Sequence, residues 1–229
     1  MKRAELFGNV PMLLGNASEV MATKTSLKRS APIAATKPVV PENVRDRILA
    51  TARDLIYREG PRAVGIDRII AESGVAKMSL YRWFPSKDDL IVAVLHEEER
   101  ATWAVWDANL QRFKGAPLKQ LRAQFASLAE FMDAPTFRGC AFLNAAMAFA
   151  DEQHPARVVA KHFKEELKRR MLELTRAIGA KQPDVLADQL CVVVDGVSAS
   201  CQAVGKEGPC RQLESTTDAL INAQLSSKR

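Results

Sequence analysis

Long hydrophobic runs are absent from this 229-residue sequence. A membrane-spanning helix needs about 18 or more consecutive apolar residues, and no stretch of the chain approaches that length. Polar residues and Pro11 interrupt the N-terminal region, so the continuous apolar segment of a secretory signal peptide is missing as well. We therefore expect a cytoplasmic protein that has no membrane partner.

Cysteine is scarce, and the four cysteines do not have the close pairing of a zinc site. They are too few for a disulfide scaffold, which agrees with a reducing cytoplasm. The three histidines show no metal-ligand spacing either. The sequence therefore predicts no metal and no cofactor.

The motifs of the common enzyme classes are also missing. The sequence has no HExxH zinc motif, no GxSxG nucleophile motif, no phosphate-binding P-loop and no glycine-rich dinucleotide fingerprint. We predict that the protein is not an enzyme. A helical enzyme that binds a small molecule through scattered residues stays open as an alternative, since no short motif would reveal it.

An excess of positive charge is present, and most of it lies near the N-terminus. The formal net charge is +6, and residues 1–41 hold six basic and two acidic residues. This segment is rich in Ala, Thr, Ser, Pro and Lys and lacks helical periodicity, so we predict a disordered basic arm. Met21 offers an alternative start of translation to Met1.

Residues 42–89 have the pattern of three short helices. Apolar residues recur at three- and four-residue spacing until Gly60, which is expected to end the first helix. The second helix is predicted to begin after Gly65 and to end at Gly74, and the third to span roughly 76–82. A glycine turn between the last two helices is typical of a helix-turn-helix.

Residues 90–229 alternate helical stretches with glycine or proline. A capping box of Ser86 and Asp89 predicts a long helix from about Lys87 to Phe113. Further helices are predicted at about 118–133, 139–150, 155–179, 183–204 and 209–225, without any strand pattern. The predicted fold class is all-α, with a small N-terminal three-helix domain followed by a larger helical domain.

The stretch Gly65–Leu90, GIDRIIAESGVAKMSLYRWFPSKDDL, resembles the DNA-binding domain of the TetR/AcrR family of bacterial transcriptional regulators. The matching positions are Ile69, Gly74-Val75, Ser79-Leu80-Tyr81, Phe84, Ser86-Lys87 and Leu90. The resemblance implies a DNA-binding domain at 42–89 and an effector-binding and dimerisation domain at 90–229. The sequence departs from the usual pattern at Gly65, Ala76, Met78 and Trp83, so the operator is not predicted.

The helix at about 76–82 is the predicted recognition helix. Leu80 and Phe84 lie four residues apart and are expected to pack it against the first two helices. Its N-terminal side would then enter the major groove of double-stranded DNA, while amides at the starts of helices meet phosphates. The residues and the resemblance together predict DNA contacts from Gly65, Lys77, Met78, Ser79, Tyr81 and Lys87.

For the larger domain, the resemblance implies a small-molecule effector and a homodimer formed by the last two helices, so a palindromic DNA site is expected. The apolar stripe along 183–204 fits either a subunit interface or the chain's own core. An effector pocket is predicted from apolar side chains, each of which also suits an ordinary core: Trp103, Trp106, Phe125, Phe142 and Met147.

Cys140 is predicted to be a sensor or a member of the same pocket. It lies close to Arg138 and near a predicted helix N-terminus, and both features favour the thiolate form. The order Gly-Cys-x-x-x-Asn, from Gly139 to Asn144, resembles family members that sense electrophiles or oxidants. A buried, inert thiol is the other interpretation, and the residue type favours it, because free cysteines are often buried. The other cysteines, Cys191, Cys201 and Cys210, are predicted to be packing residues.

The predicted function is that of a ligand-responsive, DNA-binding transcriptional regulator. The homodimer is expected to repress transcription and to be released by a small molecule or by modification of Cys140. Activation in place of repression stays open, and so does a helical interaction protein that no longer binds DNA.

Overall fold

A computed structural model of the protein describes residues 43–225. The predicted basic arm at 1–41, with its alternative start at Met21, lies outside the described residues. Within 43–225 the chain forms nine α-helices and no strand, which confirms the all-α prediction. No helix in this part of the chain is both long and apolar enough to cross a membrane.

The helices are short at the N-terminal end of the described region and longer after it. Their bounds are α1 Val44–Glu59, α2 Ile66–Ser73, α3 Lys77–Trp83, α4 Lys87–Arg112, α5 Pro117–Met132, α6 Ala141–Ala148, α7 Pro155–Ala177, α8 Pro183–Val204 and α9 Leu213–Gln224. One turn of 3-10 helix, Pro209–Gln212, precedes α9. The predicted start of the last helix falls on this turn.

Local capping sets the ends of the helices that carry the candidate site. The Asn43 side chain accepts a hydrogen bond from the Asp46 amide at 2.9 Å and so caps α1. At the start of α4, Ser86 and Asp89 bond to each other's backbone amides in the predicted capping box. These caps satisfy amides that have no partner inside the helix, and so they fix where each helix begins.

Two clusters of buried side chains form the interior of residues 43–225. The first combines α1, α2, α3 and the start of α4 with part of α6 and the N-terminal half of α7. The second combines the later part of α4 with α5, the C-terminal half of α7, α8 and α9. Helix α4 runs through the predicted boundary between residues 89 and 90, and the division into domains stays a prediction.

Three aromatic rings connect α4, α6 and α7 where the two clusters meet. Phe163 stacks on Phe142 with ring centroids 3.6 Å apart and on Trp103 at 4.9 Å. Trp103 packs against both clusters, so its ring lies at their junction.

The apolar stripe along α8 belongs to the chain's own core. Leu186 and Leu190 are fully buried in the second cluster, and Val193 and Val197 pack against it. Of the two interpretations of this stripe, the structure therefore supports core packing within one chain.

Candidate nucleic-acid interface and cysteine site

The turn between α2 and α3 depends on Gly74. Its φ of 62° lies in the left-handed region, which glycine adopts without the steric cost that a side chain brings. The Gly74 amide donates to the carbonyl of Ile70 at 3.0 Å and ends α2. A guanidinium nitrogen of Arg47 on α1 lies 3.5 Å from the Gly74 carbonyl oxygen on the other side of the turn. The turn therefore fixes α3 relative to both earlier helices.

Helix α3 has one buried face and one exposed face. Leu80 is fully buried and Phe84, which follows the helix, is almost fully buried, which confirms their predicted packing role. Met78 is 80% exposed and Tyr81 is 37% exposed. Lys77 is exposed as well, and Ser79 is partly exposed. Of the six predicted DNA contacts, these four therefore lie on the part of α3 that does not pack inward.

Lys77 already has a partner, but the pairing is weak. Its Nζ lies 3.2 Å from a carboxylate oxygen of Asp67 on α2, and both side chains are largely exposed. Ion pairs of this kind contribute about 0–1 kcal/mol, because water screens both charges. Lys77 can therefore exchange Asp67 for a phosphate or a base edge at little cost in free energy.

Lys87 and Gly65 occupy the starts of two helices. Lys87 is the first residue of α4, and its Nζ donates to the Arg62 carbonyl at 3.3 Å. Burial lowers the pKa of Lys87. Gly65 precedes α2 as an exposed residue without a side-chain cap, which leaves the first amides of α2 able to meet an anion.

Trp83 is an exposed residue whose role the sequence did not indicate. It ends α3, and half of its surface is accessible. Arg82 beside it is also exposed. An accessible indole next to a guanidinium extends the polar and aromatic surface of α3 beyond the predicted contacts.

The loop before α6 places Gly139 against α8 and Cys140 against the first cluster. Gly139 has a φ of 79°, and a Cβ atom there would overlap with Oε1 of Gln202. The positive φ is the main reason for a glycine here, because the end of the Gln202 side chain can move aside. Cys140 forms the N-cap position of α6, and the Asn144 amide side chain donates to the Arg138 carbonyl at 2.8 Å. This last bond closes the loop onto the helix that follows it.

Tyr57 on α1 joins this loop to the helix-turn-helix region. Its hydroxyl donates to the Gly139 carbonyl and accepts from the Arg138 amide, both at 3.0 Å. The side chain is buried, and burial raises the pKa of Tyr57, so the hydroxyl keeps the proton that it donates. No sequence pattern indicated this contact.

A second polar contact connects α1 with α4. Arg53 forms an ion pair with Glu98, which is almost fully buried. Burial raises the pKa of Glu98, while Arg53 acts in the opposite direction. Removing one member of a buried pair of this kind leaves an uncompensated group in the interior.

The Cys140 sulfur has a cationic neighbour that the sequence did not reveal. Lys164 on α7 forms an ion pair with the Asp195 carboxylate on α8, and it lies close enough to Cys140 to be affected by it. Burial acts to lower the pKa of Lys164, but Cys140 and Asp195 outweigh it and raise the pKa. Cys191 lies near the same lysine, yet burial raises its pKa to about 11. The two thiols therefore differ in their surroundings although they share Lys164.

Five of the six side chains predicted for the effector site are divided between the two clusters, and the role of all six stays a prediction. Trp106 and Phe125 are buried in the second cluster, whereas Phe142 is buried in the first and Cys140 packs against it. Met147 departs from the expectation, because it is 77% exposed near the end of the short helix α6.

Two spaces lie near α4, and they differ in kind. A cavity of about 20 Å³ between Tyr57, Glu98 and Asn144 has room for about one water molecule. An open surface groove runs past Trp103 and Arg100. Among the described residues, no group of three or more histidine, cysteine or carboxylate side chains is placed to hold a metal ion.

These features define a class of protein. A glycine in the left-handed conformation joins two short helices, and the second helix exposes a lysine, a tyrosine and an arginine. This arrangement is a helix-turn-helix DNA-binding unit. The profile of the family described as bacterial regulatory proteins, tetR family, matches residues 48–94.

Related proteins identify the family. The solved structure of a TetR-family transcriptional regulator from Streptomyces coelicolor matches this one with a TM-score of 0.76. The two sequences are 31% identical, and the match covers 79% of this chain and 95% of that one. A helix-turn-helix-type transcriptional regulator of Mycobacterium bovis is 32% identical over 49% of this chain and 70% of its own length. This chain belongs to the TetR family.

The sequence similarity to other curated regulators is more limited. The transcriptional regulator RutR of Escherichia coli is 34% identical over 47% of this chain, and the match spans 42% of RutR. The chain thus covers less than half of the length of that relative. The names of these relatives describe transcriptional regulators.

Proposed function

We propose that the protein represses transcription in the bacterial cytoplasm by binding a palindromic DNA site as a homodimer. The exposed face of α3, with Lys77, Met78 and Tyr81, is the observation that carries this proposal. Each subunit contributes one α3 to the major groove, and two subunits related by a two-fold axis read two half-sites. Lys87, the Tyr81 hydroxyl and the amides at the start of α2 hold the neighbouring phosphates.

The solvent-facing side of α8 supports the proposed dimer. Val192 is 71% exposed and Val185 is 45% exposed, although both are apolar. Gln189, Gly196 and Ala199 continue this stripe at three- and four-residue spacing, and all three are exposed. A Cβ atom at Gly196 would meet nothing within 4 Å. A stripe of apolar and small residues lets a second copy of α8 approach closely.

The DNA-binding proposal is tested by selecting sites from random double-stranded DNA and measuring affinity by fluorescence anisotropy. We expect an inverted repeat bound by two subunits, with affinity that falls steeply as salt increases because phosphates are neutralised. The variant Val192→Asp is expected to sediment as a monomer and to bind the repeat more weakly, while Lys161→Asp on α7 serves as the surface control. Recovery of no enriched sequence, with salt-independent affinity, would contradict DNA binding.

For regulation, we propose that covalent modification of Cys140 by an electrophile releases the DNA. A helix N-terminus and a neighbouring ammonium group are the surroundings of reactive cysteines, and Cys140 has both in α6 and Lys164. The thiol is partly accessible, whereas Cys201 and Cys210 are buried. A reversible small-molecule effector is the alternative signal for the same release.

The proposed path from Cys140 to the DNA runs through Tyr57. An adduct on the sulfur displaces the loop of residues 138–140, whose backbone is bonded to the Tyr57 hydroxyl. Tyr57 lies on α1, and α1 packs against α2 and α3 in the first cluster. The adduct thus favours a different position of α3. The adduct weakens DNA binding because it stabilises this position, whereas DNA binds the original one.

The chemistry at Cys140 gives a direct prediction. In the native protein, N-ethylmaleimide is expected to label Cys140 before Cys191, because at neutral pH very little of a thiol with a pKa of about 11 is thiolate. Labelling followed by peptide mass spectrometry gives the order of reaction, and anisotropy gives the DNA release. Cys140→Ser is expected to keep DNA binding and lose the release, whereas Cys191→Ser retains both. Equal labelling rates of the two thiols would contradict the sensor assignment.

A further inference from the structure

The remaining two cysteines form a buried pair in the second cluster. Cys201 lies in the last turn of α8, and Cys210 lies in the 3-10 turn before α9. Both are almost fully buried, and both are free thiols. The Cys201 thiol donates to the Met132 carbonyl, and Cys210 lies close enough to contribute to the raised pKa of Cys201.

One tight turn holds these cysteines together. The Gly205 amide donates to the Cys201 carbonyl at 2.9 Å, and the Cys210 thiol donates to the Gly205 carbonyl at 3.4 Å. Gly205 has a φ of 92°, which allows the chain to reverse directly after α8. Gly205 thus bonds to both cysteines, and this holds the Cys210 thiol against the last turn of α8, which contains Cys201.

We propose that Cys201 and Cys210 are a dithiol site that forms a reversible intramolecular disulfide with low-molecular-weight disulfides such as glutathione disulfide. The thiolate of one cysteine attacks a glutathione sulfur, which forms a mixed disulfide and releases one glutathione thiolate. The second protein thiolate then attacks the protein sulfur of the mixed disulfide and releases the second glutathione. The two protein thiols lose two protons and two electrons, and one glutathione disulfide becomes two glutathione thiols.

The proposed disulfide site differs from Cys140 in the rate of its reaction and in the effect of that reaction on the protein. Burial raises the pKa of Cys201 to about 12, so the reaction in the folded chain is slow compared with a reaction at the partly accessible Cys140. The disulfide closes a short loop between the end of α8 and the start of α9. Closing a loop restricts the unfolded chain more than the folded one, so oxidation stabilises this end of the protein.

The test uses the variant Cys140→Ser/Cys191→Ser, in which only the proposed pair remains. The folded variant is incubated with glutathione disulfide and then unfolded in denaturant with N-ethylmaleimide, and no free thiol is expected to remain for alkylation. Trypsin then yields residues 182–206 joined to residues 207–211 by a disulfide. The midpoint of thermal unfolding is expected to rise by about 5 °C, and dithiothreitol reverses the change.

The matched control carries Cys201→Ser in addition, so Cys210 has no neighbouring thiol. It is expected to form at most a glutathione adduct, without a rise in the unfolding midpoint. Two free thiols after oxidation of the test variant would overturn the proposal, and so would a disulfide that joins two chains. Neither result depends on DNA binding or on Cys140.

Discussion

Replacement of Tyr81 with alanine is expected to weaken DNA binding at least about tenfold. Tyr81 is exposed on α3, and its hydroxyl is proposed to donate to a phosphate. A hydrogen bond to a charged group contributes about 1.5–3 kcal/mol, and about 1.4 kcal/mol corresponds to a factor of ten in affinity. The loss is expected for all DNA sequences alike, because a phosphate contact carries no base information. Anisotropy against the selected site and against a scrambled duplex measures both effects.

Lys87→Ala tests the same docking from another helix. It is expected to weaken binding similarly and to reduce the slope of affinity against salt by about one. Lys161→Ala, an exposed lysine on α7, is the matched control and is expected to leave binding unchanged. Thermal unfolding of each variant separates loss of contact from loss of structure, which matters for Lys87 because it also bonds to the Arg62 carbonyl. Unchanged affinity in both Tyr81→Ala and Lys87→Ala would contradict the proposed orientation of α3.

Tyr57→Phe is expected to separate Cys140 chemistry from DNA release. The ring keeps its packing, but the Arg138 amide and the Gly139 carbonyl lose their partner, so the free energy of unfolding falls by about 1–3 kcal/mol. Without electrophile, DNA affinity is expected to stay within about twofold. After complete alkylation of Cys140, the variant is expected to keep most of the DNA that the native protein releases. Mass spectrometry confirms the alkylation, and anisotropy measures the DNA.

The control for Tyr57→Phe is a hydroxyl removed elsewhere in the interior. Thr217→Ala loses a bond to the Leu213 carbonyl within α9. It is expected to lose stability and yet release DNA normally upon alkylation. Release from Tyr57→Phe at the native level would show that Tyr57 does not carry the signal, even where Cys140 remains the sensor of the native protein.

The helices and the two faces of α3 were predictable, because local spacing determines them. Leu80 and Phe84 are four residues apart, and this spacing alone identifies the buried side of α3. The contacts of the loop before α6 were not predictable in this way. Tyr57 and Gly139 are separated by 82 positions, so only the folded chain brings them together.

Periodicity also does not tell what covers an apolar face. The stripe through Leu186 and Leu190 was compatible with a partner or with the chain's own core, and it packs into the core. The exposed stripe through Val192 was not identified, since small and polar residues interrupt it. Met147 was expected inside on account of its apolar side chain, but α6 presents it to solvent.

The bonds to Tyr57 fix the backbone of the loop of residues 138–140. Tyr57 holds this backbone from α1, and the side chain of Gln202 lies against Gly139 on the side of α8. A loop held in this way converts the volume of an adduct into displacement. The strength of the proposed signal then depends on the size of the group that reacts with Cys140, so small and bulky electrophiles that modify the same sulfur atom produce different degrees of DNA release.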